Sequence, residues 1–369
     1  MANRRATEGD GMPTQELKRC QRCVMPSTWA GISFNEDEVC SLCQAYDEEQ
    51  AIDWAARSYK LRQIFQEYKL LAAKNHRKYD CIIPSSGGKD STWALYTAKV
   101  TYGMNPLVVT WNHGLWMSSA ARYNLYNIPQ NLDCDHIDFR IGKGLRNGIA
   151  RKASQVGGDF CAFCHLGVGS FPARIAKQWE IPLIIYGETT ALYSTTGDYK
   201  IGDMEEQDKR HFELTFQGEL SPEKVLPEGY DILDMIPMTW PEGSFPLKAI
   251  YLGNYIRWNQ VQQVKTITKQ LGWKHIKSPI TYVNWDKNDC ERGECLREIQ
   301  KFYRRGISRA AFQASKDIRN GLLDREGALR LVAQYERAIE SLDVSGVLHE
   351  LGFRDKEEFL SITKGIRDA

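Results

Sequence analysis

Seven consecutive residues, Ser85-Ser86-Gly87-Gly88-Lys89-Asp90-Ser91, have the make-up of an anion cradle. Glycines let the backbone approach an anion closely. A helix opening just after them aims N–H groups and its positive dipole end at the same point. Ser86 and Ser91 add hydroxyl donors, and Lys89 adds a compact positive charge for phosphate oxygens. Asp90 does not suit a phosphate contact; its carboxylate fits the positioning of Mg²⁺ or the helix start. The G-x-x-x-x-G-K-[ST] spacing of a Walker A loop is absent. A bare glycine turn is the plain alternative, but a strand directly before the loop and a helix directly after it favour the phosphate site.

The second constellation is Cys20-x2-Cys23-x16-Cys40-x2-Cys43. Two C-x2-C knuckles at this separation have the spacing of a tetrahedral four-thiolate Zn²⁺ site, closed and therefore structural. A disulfide pair is the competing reading, disfavoured in a reducing compartment.

Other residues carry weaker signals. Cys161-x2-Cys164, followed by His165, is open between a metal half-site, a redox or sulfur-carrying pair, and thiols buried at a helix start. Cys290-x4-Cys295 could complete a second four-cysteine set in space. Glu188 follows the strand PLIIYG, at an edge where catalytic or metal-steering carboxylates stand in parallel sheets. A solvated loop glutamate fits that position equally. Asn112 and His113 follow PLVVTW at the same edge, with the same two readings, here nucleotide binding or neither. Cys81 sits inside a strand as a small core residue, and Cys134 has no assignable role.

These residues need a scaffold, and its texture is legible. YDCIIP, PLVVTW, DHIDF and PLIIYG read as short buried strands with helical stretches between them. That alternation predicts parallel βαβ units and a doubly wound α/β sheet. Over residues 46–78, Ile52, Leu61, Ile64, Phe65, Tyr68 and Leu71 recur at helical spacing. Residues 188–246 are rich in turn formers and read as an insertion or active-site loop region. The last third is mostly helical, with Asp324 as an N-cap and Asp355 with Glu358 as a capping box. The organisation expected is a disordered segment 1–19, a zinc-ribbon module 20–45, an α/β nucleotide domain 46–250 and a helical region 251–369.

The 48 basic and 47 acidic residues nearly cancel, and a polynucleotide binder usually needs a basic excess, so a nucleic-acid partner is not expected. No stretch is apolar enough to span a bilayer, and the N-terminus lacks an apolar signal region, so a cytoplasmic protein without membrane attachment is expected.

With strand, loop and helix in place, S-G-G-K-D-S resembles the PP-loop of enzymes that split ATP between its α and β phosphates. The ordered set C-x-x-C-V-M-P-S-T, I-S-F-N-E-D-E-V-C-S-L-C, S-G-G-K-D-S, V-T-W-N-H-G, C-A-F-C-H, P-L-I-I-Y-G-E and A-S-K-D-I-R-N-G-L-L-D-R-E-G-A is similar to the N-acetyl sugar amidotransferases of bacterial surface-polysaccharide biosynthesis. The resemblance runs through nearly the whole chain from Cys20 and implies a HUP-like fold and ATP with Mg²⁺. It implies an enzyme that adenylates an acetamido oxygen and lets ammonia displace AMP, leaving an acetamidino group. Ser86, Gly87, Gly88, Lys89, Asp90 and Ser91, with Asn112 and His113, would then meet the nucleotide. Lys89, Asp90, Glu188, Cys161 and Cys164 are the catalytic candidates. Residue 2 is Ala, and no cysteine sits in a G-x-C-x-G elbow, so ammonia is expected from a separate glutaminase subunit. The rival readings are a thiolation enzyme acting on tRNA or a small molecule, and a non-catalytic nucleotide-binding zinc protein.

Overall fold

The computed structural model describes residues 17–364, apart from 30, 157–158, 188–205, 208–219 and 288. Four strands form where sequence texture places them: β1 (Cys81–Pro84), β2 (Pro106–Trp111), β3 (His136–Phe139) and β4 (Leu183–Tyr186). Two more follow: β5 (Glu206–Gln207) and β6 (Lys248–Tyr251). The sheet order is β3-β2-β1-β4-β6-β5, parallel except for β5, which pairs antiparallel with β6. β6 was not foreseen. KAIY is only four residues long and follows a turn-rich stretch, so nothing in its local pattern separates it from a loop.

Strand residues alternate between the two faces, as pleating requires. Ile82, Leu107, Val109, Ile184, Tyr186 and Tyr251 point into one core, and Cys81, Ile83, Val108, Ile185 and Ile250 into the other. Both faces are covered, the arrangement that lets a parallel strand be apolar throughout. Helices α2 (Trp54–Lys74), α3 (Lys89–Tyr96) and α7 (Gln260–Leu271) contribute to the second core. On the first face lie α5 (Lys143–Gln155), α6 (Ala162–Gln178) and α8 (Glu291–Arg305). The apolar run predicted over 46–78 is divided: α1 (Ser41–Glu49) ends, Ile52 sits in a turn, and Asp53 caps α2 by accepting from the Ala55 and Ala56 amides. A further helix, α4 (Ser119–Asn131), lies between β2 and β3 in sequence.

The C-terminal region is helical as expected, with α9 (Arg309–Arg319), α10 (Arg325–Ala338), α11 (Ser345–Glu350) and α12 (Lys356–Lys364). Asp324 caps α10 through the Gly327 amide at 2.7 Å. The predicted box on α12 forms in altered form. Asp355 accepts from the Glu358 amide, while Glu358 reaches back to the Arg354 amide rather than that of Asp355.

Cys20, Cys23, Cys40 and Cys43 are fully buried, and their four sulfurs lie within 4.8 Å of one another. Two of the pairs stand at 3.7 and 4.0 Å, the spacing of about 3.8 Å that a tetrahedron of Zn–S bonds near 2.3 Å requires. Backbone amides of Cys23, Met25 and Cys40 point at these sulfurs, which suits thiolates. The quartet therefore fits a structural zinc ion. Its module does not stand alone. Trp29 stacks on Phe312 of α9 at 5.0 Å, and the Arg325 guanidinium donates to the Cys20 and Cys23 carbonyls. Among the described residues no helix is long and apolar enough to cross a membrane.

Candidate functional site

β1 pairs with β2 on one side and β4 on the other, so the sheet order reverses there. A crevice opens beyond the strand C-termini at such a switch point. A cavity of about 310 Å³ occupies it, lined by Pro84, Ser85, Ser86, Gly88, Lys89, Asp90, Ser91, Tyr186 and Gly187 from the sheet side.

The loop after β1 is built to expose its backbone. Gly87 has φ +76°, and a Cβ there would lie 2.4 Å from the Ala121 carbonyl oxygen, so no side chain fits. The Gly87 carbonyl is pinned by the Asn124 amide at 3.1 Å and the Trp273 indole N–H at 3.0 Å. Thr110 holds the Ser85 carbonyl at 2.8 Å. Opposite, a Cβ on Gly187 would meet the Asp90 carbonyl at 2.1 Å; the end of β4 meets the first turn of α3 through backbone alone.

Lys89 is buried and donates to Asp90 Oδ2 at 2.6 Å, with Asp286 Oδ1 at 3.8 Å. Burial works against its charge, but Asp90 and Asp286 outweigh it and raise its pKa. The second carboxylate oxygen of Asp90 is buried without a hydrogen-bond partner. That is the feature a cation or donor from a ligand would satisfy.

The far wall comes from the C-terminal third. Asp286 is 1% exposed and grips Arg309 through two bonds of 2.5 and 2.7 Å. Burial opposes its ionisation, yet Arg309 holds its carboxyl far below the usual range. Lys316 faces the same cavity and donates to Gln260. Burial and the nearby Lys89 lower its pKa to about 7. Lys89, Lys287, Arg309 and Lys316 thus line the cavity against Asp90, Asp286 and Asp289, a surface suited to a polyanion that brings its own divalent cation.

The lowered pKa has a consequence for stability. Between about pH 7 and the ordinary 10.5, the unfolded chain holds a proton at this position that the folded chain does not. Stability contributed by Lys316 therefore rises with pH across that window. Lys316→Met is expected to flatten that rise, as followed by urea unfolding at a series of pH values. An unchanged slope would show that Lys316 is not the group responsible.

The other sequence candidates fall in three places. Asn112 is buried and committed, donating to Asp138 at 2.9 Å and accepting from the Gly114 amide at 2.8 Å. His113 is buried with both ring nitrogens unpartnered. Neither lines the cavity. Glu188 lies outside the described residues. Cys161 and Cys164 open α6, and burial pushes the first thiol well up and the second to about 12. The suggested second set is incomplete: Cys290 lies in the same environment, but Cys295 turns away to the Glu291 carbonyl at 3.3 Å. Among the described residues, only the N-terminal quartet has three or more donors gathered closely enough for a single ion.

Residues 279–368 match the family described as "LPS biosynthesis protein WbpG-like, C-terminal domain". The matched stretch holds Asp286, Arg309 and Lys316, the cavity wall that local pattern did not reveal. This similarity, to a family named for lipopolysaccharide biosynthesis, covers the C-terminal stretch alone. A curated relative is an uncharacterized protein of Methanocaldococcus jannaschii, 25% identical over 238 residues, which are 64% of this chain and 79% of that protein. Asp286, Arg309 and Lys316 were missed because each stands in a charged stretch without motif spacing. The one available signal was A-S-K-D-I-R, which carries Lys316.

Proposed function

We propose that this chain is a PP-loop ATP-dependent amidotransferase acting on an N-acetyl sugar, with the resident Zn²⁺ structural and ATP with Mg²⁺ bound at the switch-point cavity. The reading is supported above all by the glycine loop after β1 facing a cationic wall that falls within the matched polysaccharide-biosynthesis stretch. The acetamido oxygen attacks the α-phosphorus, and pyrophosphate leaves toward the loop amides and Lys89. An amide oxygen is a poor leaving group until esterified in this way. Neutral ammonia then adds to the activated carbon, AMP departs with the oxygen, and the proton lost from nitrogen passes to solvent or a basic side chain. Preorganised cations contribute to such steps because they need no reorganisation as charge develops.

A neighbouring cleft of about 490 Å³ shares Trp258, Gln260, Trp285 and Lys316 with the cavity and adds Tyr46, Asn259 and Asn320. Indole faces beside amide and hydroxyl groups suit a sugar ring, so the acceptor is assigned there. A separate glutaminase subunit is the proposed ammonia source.

Turnover is expected to yield AMP and pyrophosphate, with a product in which O is replaced by NH, read by mass spectrometry of candidate N-acetyl sugars. Asp90→Asn should lower turnover by roughly 10²-fold or more while barely moving the melting temperature. The isolated chain should ignore glutamine and use ammonium salts better as pH rises, because such amines are mostly protonated at neutrality. ADP as the main nucleotide product, or ready use of glutamine by this chain alone, would overturn the reading.

A second reading has one observation in its favour. Cys290, distant in sequence, is near enough to the pair for its charge to be felt at Cys161 and that of Cys164 to be felt in return. A sulfur-inserting enzyme would have use for a third thiol, and its product would carry S in place of O in the same mass measurement.

A further inference from the structure

We propose that Lys316 is the catalytic base that takes the proton from the incoming ammonia. This role presupposes the adenylation chemistry proposed above and supplies the basic side chain that its second step calls for. An acceptor held in the cleft meets the nucleotide only where cleft and cavity join. Four residues line both: Trp258, Gln260, Trp285 and Lys316. Among the described residues, Lys316 is therefore the titratable group common to the two.

The surroundings fix its amine at that junction. Lys316 stands on α9, 6% exposed, with its nitrogen 5.5 Å from the Phe312 ring centroid. It donates to the Gln260 side-chain oxygen, a neutral acceptor. Lys89, by contrast, is kept a cation by Asp90 and Asp286, and the Arg309 guanidinium has no proton to spare at any ordinary pH. Trp258, at the same junction, has a buried indole N–H with no hydrogen-bond partner. That donor suits an oxygen of the acceptor.

The neighbouring charges agree with a base. Lys89 and Asp90 of α3, Asp286, and Arg309 of its own helix act on Lys316 from the cavity side. Glu49 of α1, Arg257, Lys265 of α7, Asp317 and Arg319 line the cleft beside it. Burial and the two cavity cations outweigh the two carboxylates, so its pKa comes down to about 7. A bound polyphosphate favours the ammonium, and the departure of pyrophosphate removes that bias before nitrogen arrives.

The step balances as follows. Neutral NH₃ gives its lone pair to the adenylated acetamido carbon, forming a tetrahedral centre that bears an –NH₃⁺ group. Lys316 removes one proton from that group and becomes an ammonium. The C–O bond then breaks with its electron pair leaving on AMP, and the nitrogen lone pair closes the amidinium. Lys316 returns its proton to solvent once AMP has gone.

The test gives the full chain Mg²⁺, ATP, labelled pyrophosphate and a pool of N-acetylhexosamines, free and linked to nucleoside diphosphates. Exchange of label into ATP without ammonia reads adenylation; amidine formation with ammonium salts, read by mass, reports the second step. Lys316→Arg keeps a positive charge but cannot serve as a base. It should exchange pyrophosphate within about threefold of the parent while forming amidine at least ~10²-fold more slowly. Lys316→Gln, neutral like the amine, should show the same split. At a fixed concentration of free NH₃, amidine formation by the parent should climb with pH and level off above about 7, a step that both variants should lack. Amidine formation near the parental rate in either variant, loss of exchange in both to the same extent as amidine formation, or an unchanged pH profile would overturn the base. A parent chain that exchanges no pyrophosphate overturns the adenylation reading and the base with it. Parental exchange and amidine formation, with Lys316→Arg undisturbed, strike the base alone.

Discussion

Cys23→Ser is expected to abolish stoichiometric zinc binding and to cost several kcal/mol of stability, well beyond the ~1 kcal/mol typical of a point substitution. Four thiolates close the coordination shell, and among the described residues no further Cys, His or carboxylate joins the quartet. The loss should also travel. Trp29 of the zinc module stacks on Phe312, Phe312 lines the cavity, and Arg325 ties the knuckle carbonyls to α10. Nucleotide affinity should therefore weaken in Cys23→Ser although no cysteine of the quartet faces the cavity. Cys134→Ser, whose sulfur only leans on the Leu132 carbonyl, is the control expected within ~1 kcal/mol of the parent. Elemental analysis and thermal melts decide the matter. Zinc-free parent protein, or full metal content in Cys23→Ser, would refute the assignment.

Asp286→Ala should be nearly as severe, at about 3–5 kcal/mol, because it leaves Arg309 buried without its bidentate partner and Lys89 with only Asp90. The buried pair is not a net source of stability in itself, since desolvating both charges offsets much of their attraction. Its effect is positional: it fixes the guanidinium at the cavity wall and confines the Lys89 ammonium between two carboxylates. Replacing both partners, as in Asp286→Leu with Arg309→Met, should recover much of the lost stability without recovering nucleotide affinity. Urea unfolding and calorimetric titration with ATP separate the two quantities. If the double variant bound nucleotide as the parent does, the wall would have no part in binding. The pH sign follows from the depressed carboxyl: the stability it contributes is fully present above the unfolded value near 3.8 and lost as pH falls toward the folded one.

Much of this protein was legible along the chain because its signals are local. The glycine loop announces itself through Gly87 and Gly88 beside Lys89, since only glycine tolerates a backbone at φ +76° where a Cβ would lie 2.4 Å from a carbonyl oxygen. β1, β2 and β4 are legible because both faces of a parallel sheet are buried, so their apolar runs are unbroken, while the edge strand β3, half-buried with Asp138 exposed, is legible from its place in the βα alternation. The knuckles are legible because each C-x2-C sets two zinc ligands within one turn.

Tertiary structure alone decided the rest. β6 completes the parallel sheet from four residues whose strand character comes only from pairing with β4. Asp286, Arg309 and Lys316 form a wall because α9 folds back over the loop after β1, and ion pairs between such distant positions leave no periodic trace. Asn112 and His113 stand at the predicted strand edge, yet their side chains are turned into the fold beside β3 and α5 rather than to the cavity, where bonds to Asp138 and Gly114 hold Asn112. The cysteines show the division most clearly. Cys20, Cys23, Cys40 and Cys43 were assigned together by spacing, whereas Cys290 and Cys295, also close in sequence, part company: residues 289–290 pair with residues 117–118, while Cys295 turns to the Glu291 carbonyl. Short-range chemistry is written in spacing; which distant residues share a site depends on the packing of the whole chain.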